Sequence, residues 1–158
     1  MVRLVPMSET QFERYLPSAV QDYAQEHVRA GNWSPENALQ MAKASFDVLL
    51  PDGPATPSQF LFTVEDEMLG ERVGMLWFAV EEREAAQRAF LYDIRIEEAY
   101  RRRGYGTQAL EALEAKVREL GVTRITLHVF GHNHPARAMY AKLGYEAVDL
   151  RLSKTLHP

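Results

Sequence analysis

Arg101-Arg102-Arg103-Gly104-Tyr105-Gly106 places three cations and two glycines where a helical pattern begins. A helix start leaves main-chain N–H groups without partners and gathers partial positive charge. Phosphate oxygens are matching acceptors. Glycine lets a backbone approach its ligand with no Cβ between them, and arginine adds fork-shaped donors. These types at this spacing suit a pyrophosphate; the plain alternative is a solvated turn with a basic surface. Gly104-x-Gly106-x-x-Ala109 also has the form of a dinucleotide fingerprint, but Gly104 lies eight positions beyond Ile96, where the preceding strand pattern ends. No acid stands between Glu119 and Glu146 to meet a ribose. A P-loop is excluded because no Gly-Lys-Ser/Thr follows.

The rest of the chain narrows the chemistry. With no cysteine there is no disulfide, thiolate metal site or cysteine nucleophile. His132 and His134 form a His-x-His pair, but no third ligand lies nearby in sequence, so no metal is expected. The formal net charge is −4 over 158 residues, opposite in sign to a general nucleic-acid binder, so the arginine cluster is a local feature. No apolar run reaches membrane-spanning or signal-peptide length, and the expectation is a soluble, cytoplasmic protein without membrane or nucleic-acid partners.

The elements that must position the loop follow from periodicity. Val2 to Pro6 reads as a short strand. Ser8 can cap a helix in which Phe12, Tyr15, Leu16, Ala19, Val20 and Tyr23 recur at helical spacing. Ser34-Pro35 predicts a second helix, Ser34 as cap and Pro35 first, ending near Leu49. Residues 51–57 hold three prolines and a glycine and form a loop. Gln59 to Val64 and Val73 to Val80 read as strands around a turn with Gly70, and Ala89 to Ile96 as a third strand after the charged stretch Glu81 to Arg88. Short connections favour antiparallel neighbours. A helix from Gly104 to Leu120 has the apolar stripe Leu110, Leu113, Val117 and Leu120, and Gly121 can end it. Arg124 to Val129 is the next strand, so strand–helix–strand here predicts a parallel pair. Asn133 caps another helix that closes at Leu143-Gly144-Tyr145, and Glu146 to Lys154 is a final strand. No repeat or linker divides the chain, which reads as one domain over residues 1–158.

Arg101-x-x-Gly104-x-Gly106 resembles the (Gln/Arg)-x-x-Gly-x-(Gly/Ala) signature of the GNAT superfamily of N-acetyltransferases. Leu127 to Tyr145 resembles the family's C-terminal pattern: a strand, Asn133-x-x-Ala136, an apolar residue before Tyr140, then Lys142-Leu143-Gly144-Tyr145. The resemblance implies an α/β fold: a mixed, mostly antiparallel sheet with splayed parallel strands and helices on both faces. It implies acetyl-CoA as co-substrate, an amine acceptor and, commonly, a homodimer. Its pyrophosphate loop falls on Arg101, Arg102, Arg103, Gly104, Tyr105, Gly106 and Thr107. The strand whose main chain holds the pantetheine arm falls on Ile94, Arg95 and Ile96. Asn133 matches a residue contacting that arm, and Tyr140 the acid that protonates the leaving thiolate.

Direct acyl transfer needs a neutral amine, donors for the oxyanion and a proton for the thiolate. A main-chain N–H near Ile94 could serve the oxyanion. Tyr140, four residues after Ala136, also reads as an ordinary packing aromatic. For the base, Asp93, Glu97 and His128 are candidates, and Asp93 is carried forward. The expectation is an N-acetyltransferase working by direct transfer. The alternative is a CoA-binding sensor or interaction module with weak turnover.

Overall fold

The computed structural model describes residues 1–84 and 86–158. Strand β1 (Val2–Pro6) leads into helix α1 (Glu9–Arg29), followed by α2 (Ala38–Leu49), β2 (Gln59–Asp66), β3 (Glu71–Arg83), β4 (Ala86–Ile96), α3 (Tyr105–Glu119), β5 (Ile125–Leu127) and α4 (His134–Lys142). The five strands form one sheet in chain order. β1 through β4 are antiparallel neighbours, and β4 pairs with β5 in parallel.

Both sheet faces are covered. On one, Val64, Val73, Leu76, Phe78 and Leu91 pack with Leu110, Leu113 and Val117 of α3. On the other, Leu61, Met75 and Trp77 pack with Phe12, Tyr15, Ala19, Ala42 and Phe46 of α1 and α2. The division follows from the two-residue period of a strand: neighbouring side chains leave β3 on opposite faces.

Local chemistry accounts for most boundaries. Ser8 and Gln11 form a reciprocal capping box at the start of α1. Asp66 turns the chain between β2 and β3 by accepting from the main-chain N–H groups of Met68 and Leu69, at 2.8 and 2.9 Å. Gly121, at φ 77°, follows α3 as expected.

Several sequence expectations shift. Ser34 and Pro35 do not open α2. They belong to a turn in which Asn37 and Ala38 donate to the Ser34 carbonyl, and the helix starts at Ala38. The charged stretch 81–88 does not separate two strands: Glu81 faces Arg88 and Glu82 faces Gln87 as rungs of the β3–β4 ladder, and Ala85 lies outside the described residues. Opposite charges across a ladder support it, so polarity alone did not mark a loop there. Leu120 is not part of the buried stripe; it sits at the fraying end of α3, 39% exposed. β5 is shorter than expected, because His128 and Val129 leave the ladder. Residues 146–154 form no strand at all and remain exposed.

Candidate functional site

The site grows from a change of partners along β4. Ala89, Phe90 and Leu91 are flanked on both sides, by β3 and by Ile125, Thr126 and Leu127 of β5. From Tyr92 to Ile96 the strand keeps β3 but loses β5. Tyr92 is also a bulge: Asp93 faces Trp77 and Leu91 faces Phe78, with Tyr92 left over between them. A bulge frees main-chain groups and re-aims side chains, a frequent device beside reactive sites. Alternate N–H and C=O groups of residues 92–96 therefore point into a gap between diverging strands.

The chain crosses from this gap to α3 through a loop that resists an ordinary turn. Arg101 donates from Nε to the Ile96 carbonyl at 2.9 Å, tying the loop to the end of β4. Arg102 adopts φ 63° and Gly104 φ 81°. Left-handed φ is strained for arginine, whereas glycine takes it freely. No side chain caps α3 at Gly104, so the N–H groups of its first turn are open to a ligand. A Cβ built at Gly104 would meet no protein atom within 4 Å, whereas one at Gly106 would come within 2.9 Å of Met139 Sδ in α4. The two glycines thus do different work. Gly104 supports the turn beside open space, and Gly106 leaves room for the Met139 side chain of α4.

The loop side chains diverge. Arg102 and Arg103 are exposed, and Arg103 lies over the Tyr100 ring at 5.8 Å. Tyr105 is buried and donates to Asp66 Oδ2 at 2.6 Å, which leaves its main chain, not its ring, facing the loop. Thr107 sits in the first turn of α3, partly buried.

Asp93 and Arg95 leave β4 on the α1 face, and Ile94 and Ile96 on the α3 face. Asp93 Oδ2 accepts from Tyr15 Oη at 2.6 Å and from Arg95 Nε at 2.9 Å. Arg95 continues to Asp22 through Nη1 at 2.5 Å. This chain of charged and hydroxyl groups fastens α1 to the free half of β4. Burial and the neighbouring Asp93 charge raise the Tyr15 pKa well above its ordinary value. Tyr15 looked like one more stripe residue in the sequence, and Asp22 was not singled out. Their seven-residue spacing, which puts both on one helix face, was the available signal. A cavity of about 230 Å³ adjoins the network, lined by Arg14, Tyr15, Arg72, Arg95, Glu97 and Arg101.

Across the gap, Asn133 caps α4 by accepting from the Ala136 N–H at 3.3 Å. Tyr140 is half-buried on this helix, its ring edge-on to Tyr145 at 5.7 Å between centroids. Burial, with a smaller contribution from the Asp93 charge, pushes its pKa up to about 12. Tyr140 thus keeps its proton at neutral pH. Of the other two base candidates, Glu97 lines the same cavity and pairs with Arg72 at 3.4 Å, and His128 is exposed, edge-on to Phe130. His132 pairs with Glu26, and among the described residues no three His, Asp or Glu side chains converge as a metal site would require.

An open helix start beside a half-paired, bulged strand and a protonated tyrosine is a setting for transfer of a group held by a phosphate-bearing carrier. Comparison with known proteins agrees. The profile of the Acetyltransferase (GNAT) family matches residues 17–145. The uncharacterised N-acetyltransferase YycN of Bacillus subtilis (strain 168) is 40% identical over 157 residues, covering 98% of this chain and 99% of that one. YdgE of the same organism, also an uncharacterised N-acetyltransferase, is 31% identical over 153 residues, 97% of each chain. The crystal structure of YycN superposes with a TM-score of 0.94 at 39% identity over 100% of both chains. The chain belongs to the GNAT family and is an N-acetyltransferase.

Proposed function

We propose that residues 1–158 act as one cytoplasmic domain that moves an acetyl group from acetyl-CoA directly to a primary amine, without a metal. The observation that carries this reading is the half-paired β4, bulged at Tyr92, with the uncapped start of α3 at one end and Tyr140 facing it. Acetyl-CoA supplies an activated thioester; the chain supplies position and protons. The N–H groups that open α3, with Arg102 and Arg103, hold the diphosphate. Main-chain groups of Ile94, Arg95 and Ile96 hold the pantetheine arm, which Asn133 also touches. A main-chain N–H near Ile94 faces the oxyanion.

Tyr140 serves the leaving thiolate. An ordinary thiol has a pKa of about 8.5, below that of Tyr140, so complete transfer to a well-solvated thiolate would run uphill. The same desolvation that raises Tyr140 also raises a thiolate beside it. The proton therefore moves as the carbon–sulfur bond breaks. Asp93 accepts the amine's proton, and Arg95 and Tyr15 fix the carboxylate by binding Oδ2. Of the arginines lining the cavity on the α1 side, Arg72 and Arg95 are paired with acids, and Arg14 and Arg101 favour an acceptor carrying an anionic group near its amine. Having no cysteine, the chain lacks the commonest nucleophile of a covalent route.

Thiol release tests this directly, because a chain without cysteine gives no background with a thiol-reactive dye. Acetyl-CoA is expected to bind by titration calorimetry and to release CoA with amines, faster with carboxylate-bearing amines than with their uncharged analogues. Binding without release across a broad amine panel would instead assign a sensor or interaction module. Absence of binding would overturn the whole reading.

A further inference from the structure

Helix α1 touches both walls of the gap that opens beyond Leu91. The free half of β4 is one wall, and Tyr15 and Asp22 fasten α1 to it through Asp93 and Arg95. The segment 128–133, between β5 and α4, is the other. Beyond Leu91 and Leu127 no ladder rung joins β4 to β5 among the described residues. Something other than the sheet must set the spacing of the walls there.

Glu26 supplies a contact that can. It stands four positions after Asp22 and eleven after Tyr15, so all three lie on one helix face. Its Oε2 meets His132 Nε2 across 106 positions of sequence. The His132 ring stacks on Phe130 at 5.4 Å between centroids, and Phe130 meets His27 of α1 edge-on at 5.0 Å. His27 is held in turn by Asn32 at 2.9 Å and by stacking on Trp33 at 3.9 Å. The same segment is tied to α4. The Asn133 N–H donates to the Phe130 carbonyl at 2.9 Å, and Arg137 Nη1 donates to the Gly131 carbonyl at 3.0 Å. Asn133 caps the helix, and Tyr140 stands about two turns further on.

The Glu26 and His132 side chains are 39% and 20% exposed. A pair so open to water contributes little stability; what it can contribute is position. We infer that Glu26 and His132 are positioning residues for the transfer step: through their contact, α1 spans the gap and holds the Tyr140 helix at a set distance from β4. The inference rests on Tyr140 being the acid of the reading above. It requires a donor at Nε2 and an acceptor at Oε2 but no net charge, because a neutral imidazole carrying its proton on Nε2 makes the same bond.

Spin labels measure the spacing without any acceptor, because the chain has no cysteine of its own. Labels are placed on Gln21→Cys of α1 and Lys142→Cys of α4, both exposed positions. His132→Ala and Glu26→Ala should each lengthen and broaden the distance distribution. His132→Gln, which keeps a donor at similar reach, should restore it. CoA release with the fastest amine of the panel reads the consequence. Either alanine variant should lower kcat by about 10–100-fold with little change in KM, and His132→Gln should recover most of the loss. In a Tyr140→Phe background the same alanine substitutions should cost less than about twofold. Native spacing in both alanine variants, or losses that multiply in full with that of Tyr140→Phe, overturns this inference and leaves the acid in place. A Tyr140→Phe chain that keeps its full rate overturns the acid and the inference together.

Discussion

The two halves of β4 share one strand and differ in almost everything else. Ala89 and Leu91, paired on both sides, are 0% and 3% exposed. Residues 92–96, paired on one side, are all partly exposed and carry a bulge, an acid and an arginine. Losing one neighbour changes what the strand can offer, because main-chain groups that would bond to β5 are left without that partner. It also makes room for polar side chains that a doubly paired, covered segment could not hold. The acid and the arginine are tolerated because Tyr15 and Asp22 reach across from α1 to satisfy them.

Substitutions on either side of the divide should separate rate from stability. Tyr140→Phe, facing the singly paired half, should lower kcat by about 10²–10⁴-fold while changing acetyl-CoA affinity little; steady-state kinetics and calorimetry report the two quantities. An unchanged kcat would mean that Tyr140 is packing alone or that chemistry does not limit turnover. Leu91→Ala, in the doubly paired half, should cost about 2–5 kcal/mol in urea unfolding, with kcat per folded molecule preserved. If it slowed catalysis as severely as Tyr140→Phe, the two halves would not be functionally distinct. Gly104→Val should cost about 1–2 kcal/mol through its left-handed backbone. It should also weaken acetyl-CoA binding, because the new side chain enters the space before the open N–H groups. Normal binding by a folded variant would remove the loop from the site.

The smallest effect is the response to pH. Tyr92, Tyr140 and Tyr145 are each pushed up to about 12 from an ordinary value of 10, chiefly by burial. The unfolded chain loses these protons first, so their stabilising contribution is intact below pH 10 and drains away as pH rises toward 12. Burial lowers the His27 pKa from its ordinary 6.5, with smaller effects from His128 and Arg151. As the pH falls below 6.5 the unfolded chain takes that proton first, and stability declines. Urea midpoints measured across both windows, with tyrosinate absorbance on the alkaline side, check both directions.

The sequence made the framework legible where local chemistry decides it. The Ser8 and Asn133 caps, the stop at Gly121, and the antiparallel and parallel pairings follow from short-range signals. The Arg101–Gly106 loop and Tyr140 were singled out as candidates by their spacing and their resemblance to a family. What stayed hidden depends on contacts between distant segments. Tyr15 meets Asp93 across 78 positions, and no local pattern announces such a bond. The bulge at Tyr92 exists only relative to β3. Gly106 read as room for a ligand, but the space it leaves belongs to Met139. The expected strand at 146–154 has the right alternation and finds no partner within its own chain.

Gly106 and Met139 touch through one soft point. A methyl group at position 106 would come within 2.9 Å of the thioether sulfur, which is the mobile end of an unbranched side chain. A Gly106→Ala chain is expected to swing that sulfur aside and keep both helix backbones in place.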